Sequence, residues 1–166
     1  MNRYFKLVPI CIVISLIIGC SKNDKSSPSS SASSSSSNFE MSATIMKQAD
    51  SSLFSAAGPS LVIAIDSNYE CKIIASDTLA DTVVSKFTLT ILDYSGVGTY
   101  SFDSSIYYRY AVYETMNPYT QTAFAQCTVK ISTVTAENIS GTFSGTLTDG
   151  TIVTNGSFNA VHRTFQ

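Results

Sequence analysis

The chain has one histidine in 166 residues, His162. A Ser-His-Asp triad or a histidine metal cluster needs several groups in fixed mutual geometry, so catalysis of either kind has almost nothing to draw on. Glu137 and Asp149 lie near His162 in sequence, but both read as turn residues. A basic patch is also missing. Arg3 and Lys6 sit at the very front, leaving eight basic residues against twelve acidic ones, which makes nucleic acid a poor partner. No helical period is sustained, and beyond the first 20 residues no apolar run is long enough to span a bilayer. Gly96-Val97-Gly98 is followed by neither a third glycine nor a helix, which excludes a phosphate loop. The expectation is a protein that is not an enzyme and holds no cofactor or metal.

What is present begins with an address. Arg3 and Lys6 form a positive head, residues 7–18 are apolar except for Pro9 and Ser15, and Gly19 places a small residue before Cys20. That layout is a secretory signal peptide, too short for the roughly 20 apolar residues of a membrane span. Ile17-Ile18-Gly19-Cys20 resembles the lipobox of bacterial lipoproteins. The resemblance implies cleavage after Gly19 and acylation of Cys20. One acyl chain holds only marginally at about 0.8 kcal/mol per methylene, so two or three chains on one cysteine give a stable membrane anchor. In such lipoproteins an aspartate after the cysteine favours the inner membrane, so Ser21 implies the outer one. Lys22-Asn23-Asp24-Lys25 resembles export signals of Bacteroidetes-type lipoproteins carried to the cell exterior.

Three segments follow: a signal peptide over 1–19, the lipidated cysteine with a serine-rich tether over 20–38, and one domain over 39–166. The run "SSPSSSASSSSS" at 26–37 has almost no apolar surface with which to build a core. As a flexible spacer, the eighteen residues from 21 to 38 reach on the order of 23 Å. They serve either as a stalk clearing the headgroups or as a spacer with no length requirement.

The domain reads as all-β. Met41, Ala43 and Ile45 alternate with polar neighbours, as do Phe87, Leu89 and Ile91. "LVIAIDS" from Leu61 is apolar on both faces, the mark of a central strand, and "CKIIAS" from Cys71 returns as its hairpin partner. In the run from Ala123 to Ile131, the odd positions Ala123, Ala125, Cys127, Val129 and Ile131 form one face, with Phe124 on the other. Ile139, Gly141, Phe143, Gly145 and Leu147 face one way, and Asp149-Gly150 turns the chain back so that Phe158 and Ala160 face inward. Eight to ten short strands with brief turns predict a single antiparallel meander, closed as a sandwich or a small barrel.

"YSGVGTYSF" at 94–102 and the closing "ISGTFSGTL…GTIVTNGSFNAV" are similar to a family of small Bacteroidetes-type lipoproteins without an assigned activity. Those have a lipobox, a polar tether and one all-β domain. Members typically carry a tryptophan after the first strand. This chain has none, and Leu53-Phe54 stands there instead. The resemblance implies fold and location rather than activity.

Within the domain three groups draw attention. Cys71 and Cys127 both lie on core-facing positions. An exported protein meets an oxidising compartment, so they either form a disulfide, closing a loop of about 57 residues worth about 4 kcal/mol, or pack as two buried thiols. Tyr107, Arg109 and Tyr113 share one face of an aromatic strand and form a candidate ligand face for a glycan or another envelope protein, with Tyr108 and Tyr110 on the other face. Asp77-Thr78-Leu79 and Asp81-Thr82-Val83, in the polar stretch "SDTLADT", resemble the O-glycosylation sequon of Bacteroidetes-type exported proteins, which makes Thr78 and Thr82 candidate acceptors. The functional expectation is a lipid-anchored envelope protein that binds a glycan or an envelope protein. The alternative is a structural or assembly subunit of an outer-membrane complex.

Overall fold

Alternation of apolar and polar side chains runs through most elements of the described residues, and each of these is a strand. The structure is a computed structural model; it describes residues 38–67, 69–103 and 109–164. The signal peptide, Cys20, most of the tether, and Tyr107 and Tyr108 lie outside the described residues. The described residues belong to one unit, Ser36–Gln166.

Among them are ten strands and no helix. These are β1 (Glu40–Lys47), β2 (Asp50–Ala57), β3 (Val62–Ser67), β4 (Glu70–Leu79), β5 (Thr82–Ile91), β6 (Gly98–Asp103), β7 (Arg109–Met116), β8 (Tyr119–Val134), β9 (Asn138–Leu147) and β10 (Ile152–Thr164). Seven of them close a ring in the order β10-β3-β4-β5-β7-β8-β9, with β9 pairing back to β10. Of the two expected closures, sandwich or small barrel, the barrel forms, and closure pairs both edges of every ring strand.

The ring departs from a simple meander in two places. β3 joins β10 in parallel, through Val161–Thr164 against Ile63–Asp66. β6 pairs with β8 rather than with its neighbours in sequence. Both departures follow from two long strands that each serve two partners along one edge. β10 pairs with β1 over its first half and with β3 over its last residues. β8 pairs with β7 up to Ala123 and with β6 from Gln126 onward.

A β-bulge falls at that second switch, between Phe124 and Gln126. One extra residue inverts the alternation. Phe124 consequently turns into the core together with Cys127, Val129 and Ile131, while Ala123 is exposed. The uninterrupted alternation read from the sequence is corrected here.

The core is aromatic at its centre. Phe87 contacts Phe54, Tyr113, Phe124 and Phe143, with ring centroids 4.7, 4.8, 6.2 and 5.4 Å away. Room for these rings comes from β9. A Cβ on Gly141 would meet the Lys130 carbonyl oxygen at 2.1 Å and Phe158 at 2.8 Å. One on Gly145 would meet the Gln126 carbonyl oxygen at 2.3 Å and Phe124 at 2.7 Å. Backbone proximity and large facing rings together require glycine at both positions.

Candidate functional site

The β7–β8 hairpin turns at Asn117-Pro118, and its register sets Tyr113 opposite Thr122 and Thr115 opposite Thr120. Cross-strand partners share a sheet face, so these four side chains stand together. They line one wall of an open cleft of about 370 Å³ at the end of the barrel. Ser51 and Ser52 at the start of β2 form the facing wall, and Ile45 and Leu147 supply the apolar part. Tyr113 is half-buried. Its ring packs on Phe87 at the cleft's inner end, and burial raises its phenol above the usual tyrosine range, a shift that a hydrogen bond with Ser85 partly offsets.

Hydroxyls dominate the walls. Thr115 Oγ1 donates to the Pro118 carbonyl oxygen at 3.0 Å, so in its 2.7 Å contact with Thr120 Oγ1 the Thr120 hydroxyl is the donor. At the rim, Lys47 Nζ donates to Asp149 Oδ2 at 3.3 Å. The Thr151 amide donates to Asp149 Oδ1 at 3.0 Å and, with Lys47, holds the Asp149 carboxyl below the usual aspartate range. The cleft is thus a hydroxyl-rich surface with charged side chains only at its rim and an aromatic ring at its inner end, suited to holding a polar ligand by hydrogen bonds and ring contact.

The structure divides the candidate ligand face. Ala111 and Tyr113 mark that face of β7 as the one turned to the core. Tyr113 reaches the cleft, but Arg109 lies four residues away at the start of the strand, where all three of its guanidinium nitrogens donate hydrogen bonds. Its Nε donates to Asp93 Oδ1 at 2.7 Å, Nη2 donates to Asp93 Oδ2, and Nη1 donates to the Ser101 carbonyl oxygen at 2.8 Å. The guanidinium also sits 5.5 Å from the centre of the Tyr100 ring. Arg109 therefore clips β6 to the turn after β5. Tyr107, the third member, lies outside the described residues.

Cys71 and Cys127 are free thiols, so the buried-thiol alternative describes them and the disulfide does not form in this structure. Each is buried on its own strand, Cys71 beside Ile91 on β5 and Cys127 beside Phe102 on β6 and Gly145 on β9. Burial pushes both thiols up to about 12. Leu79 and Thr82 flank a two-residue turn, Ala80-Asp81, in which both residues have positive φ, and Thr78 stands one position before it, opposite Val83. "SDTLADT" is therefore a hairpin tip rather than a loop, with Thr82 exposed and Thr78 half-buried.

His162 lies in β10, two residues before its end at Thr164. Its Nδ1 donates to the Thr135 carbonyl oxygen at 2.5 Å, and its Nε2 lies 3.4 Å from Asp66 Oδ2. The pairing with Asp66, 96 positions earlier, had no signal in the sequence. Neither did the approach of Ser51, Ser52 and Lys47 to the β7–β8 hairpin; both depend on how the barrel closes. Among the described residues, no group of three or more His, Cys, Asp or Glu side chains is placed to hold a metal ion. Compared with protein families, curated proteins and solved structures, the chain finds no match.

Proposed function

We propose that the chain is a non-enzymatic, lipid-anchored protein of the cell envelope, tethered to the outer membrane through Cys20, that binds a glycan or another envelope protein in the cleft between β2 and the β7–β8 hairpin. The observation that carries the reading is the cleft itself: an open, hydroxyl-walled recess ending on Tyr113, built on strands of a closed barrel. Rigid strands hold such a recess in one shape, and a preformed site loses less entropy on binding. The charged head with its apolar run, the lipobox resemblance and the serine-rich stretch support the location.

The test is binding of the mature protein, in detergent micelles, to isolated cell envelopes. The parent is expected to be retained. A Ser52→Trp variant, which fills the cleft from its exposed wall, is expected to lose retention while keeping its melting temperature. Equal retention of both proteins would refute the cleft as the binding site.

A further inference from the structure

We infer that the ligand of this cleft is an uncharged saccharide chain. The inference rests on the cleft being the binding site and goes on to name what it binds. The first argument is the balance of donors and acceptors. Thr122, Ser51 and Ser52 line the cleft, and none of their hydroxyls is hydrogen-bonded to another described residue. Each is free both to donate and to accept. Thr120 donates to Thr115, so its oxygen is left as an acceptor. A sugar hydroxyl also donates and accepts, and it matches this mixed lining at every position. A carboxylate or phosphate oxygen only accepts.

The second argument is charge. The charged groups at the rim are Lys47, Asp50 and Asp149. Lys47 is already paired with Asp149, and Asp50 has no ion-pair partner among the described residues. The mouth therefore carries one surplus negative charge, and its one cation among the lining residues, Lys47, faces two carboxylates. The third is shape. Tyr113 rests on Phe87 at the inner end, and Ile45 and Leu147 flank it. A pyranose ring offers the matching combination of an apolar C–H face and a polar hydroxyl rim.

The experiment is isothermal titration of the mature lipoprotein in detergent micelles with maltohexaose, cellohexaose, xylohexaose and hexagalacturonate. At least one neutral chain is expected to saturate, with hexagalacturonate at least about tenfold weaker. Replacing the two hydroxyls in a Thr120→Val/Thr122→Val variant removes two hydrogen bonds and is expected to weaken binding roughly tenfold. Valine retains the β-branched shape at both positions. A Ser51→Ala/Ser52→Ala variant on the opposite wall gives the same readout should the first pair disturb the hairpin. Failure of every neutral chain to saturate at about 10 mM, a limit of about −2.7 kcal/mol in binding free energy, overturns the inference. So does hexagalacturonate binding as tightly as the neutral chains, or binding that neither variant weakens. Envelope retention that depends on the cleft while every neutral chain fails would end the saccharide assignment and leave the cleft standing.

Discussion

At the scale of single residues, chemistry is decided by burial and by prior engagement. Cys71 and Cys127 are sealed inside the barrel, and their thiols, raised to about 12, are protonated at neutral pH and slow to react. Under the proposed lipidation the Cys20 sulfur is alkylated, so native protein is expected to take up no thiol reagent within minutes. After denaturation without reductant it is expected to take up two equivalents, counted by intact mass. Zero equivalents after denaturation would show a disulfide. The Asp93–Arg109 pair makes a second prediction. The hydrogen bond from Arg109 holds the Asp93 carboxyl below its ordinary value of about 3.9. The pair's contribution to stability is therefore present above that pH and is lost as pH falls through the lowered value. Asp93 is half exposed, so the contribution is at most about 1 kcal/mol. An Asp93→Asn variant should lose that amount at pH 7 and match the parent near pH 2 in urea unfolding; an unchanged difference at both pH values would contradict it.

At the scale of elements, β8 and β10 organise the molecule because each holds β9 on one edge and two successive strands on the other. Their seams depend on small residues. Gly141→Ala would force a methyl against the Lys130 carbonyl, separating β8 from β9. A loss of at least about 1–3 kcal/mol is expected in the urea midpoint. Phe87→Ala removes the ring that links β2, β5, β7, β8 and β9, and a loss of about 3–5 kcal/mol is expected by the same measurement. Substitutions costing less than about 1 kcal/mol at either position would contradict this packing account.

Strand by strand, much of this was legible in the sequence. Met41-Ala43-Ile45, Phe87-Leu89-Ile91 and the inward face of β9 all occupy the core as their alternation requires, and Asp149-Gly150 makes its turn. The rest depended on pairings between distant segments. A bulge at a change of partner leaves no mark in local periodicity, which is why Phe124 was assigned to the wrong face. The parallel β3–β10 seam joins residues about a hundred positions apart. Arg109 and Tyr113 share a face as their spacing dictates, but the curve of the barrel and the position of β6 give one to a structural clip and the other to the cleft.

At the scale of the whole molecule, the proposed function joins a barrel with a hydroxyl-lined cleft to the Cys20 anchor expected from the sequence. A domain held near a membrane meets surface-bound ligands at raised effective concentration, so even weak affinity at the cleft suffices for retention. Everything functional in the proposal depends on that attachment. The most direct test is metabolic labelling of the native host with an alkyne analogue of palmitate, comparing the parent with Cys20→Ala and fractionating both. The parent is expected to carry the label and sediment with outer membranes, and Cys20→Ala is expected to carry none and to leave the membrane fraction. A parent without label, fractionating as Cys20→Ala does, would contradict the account.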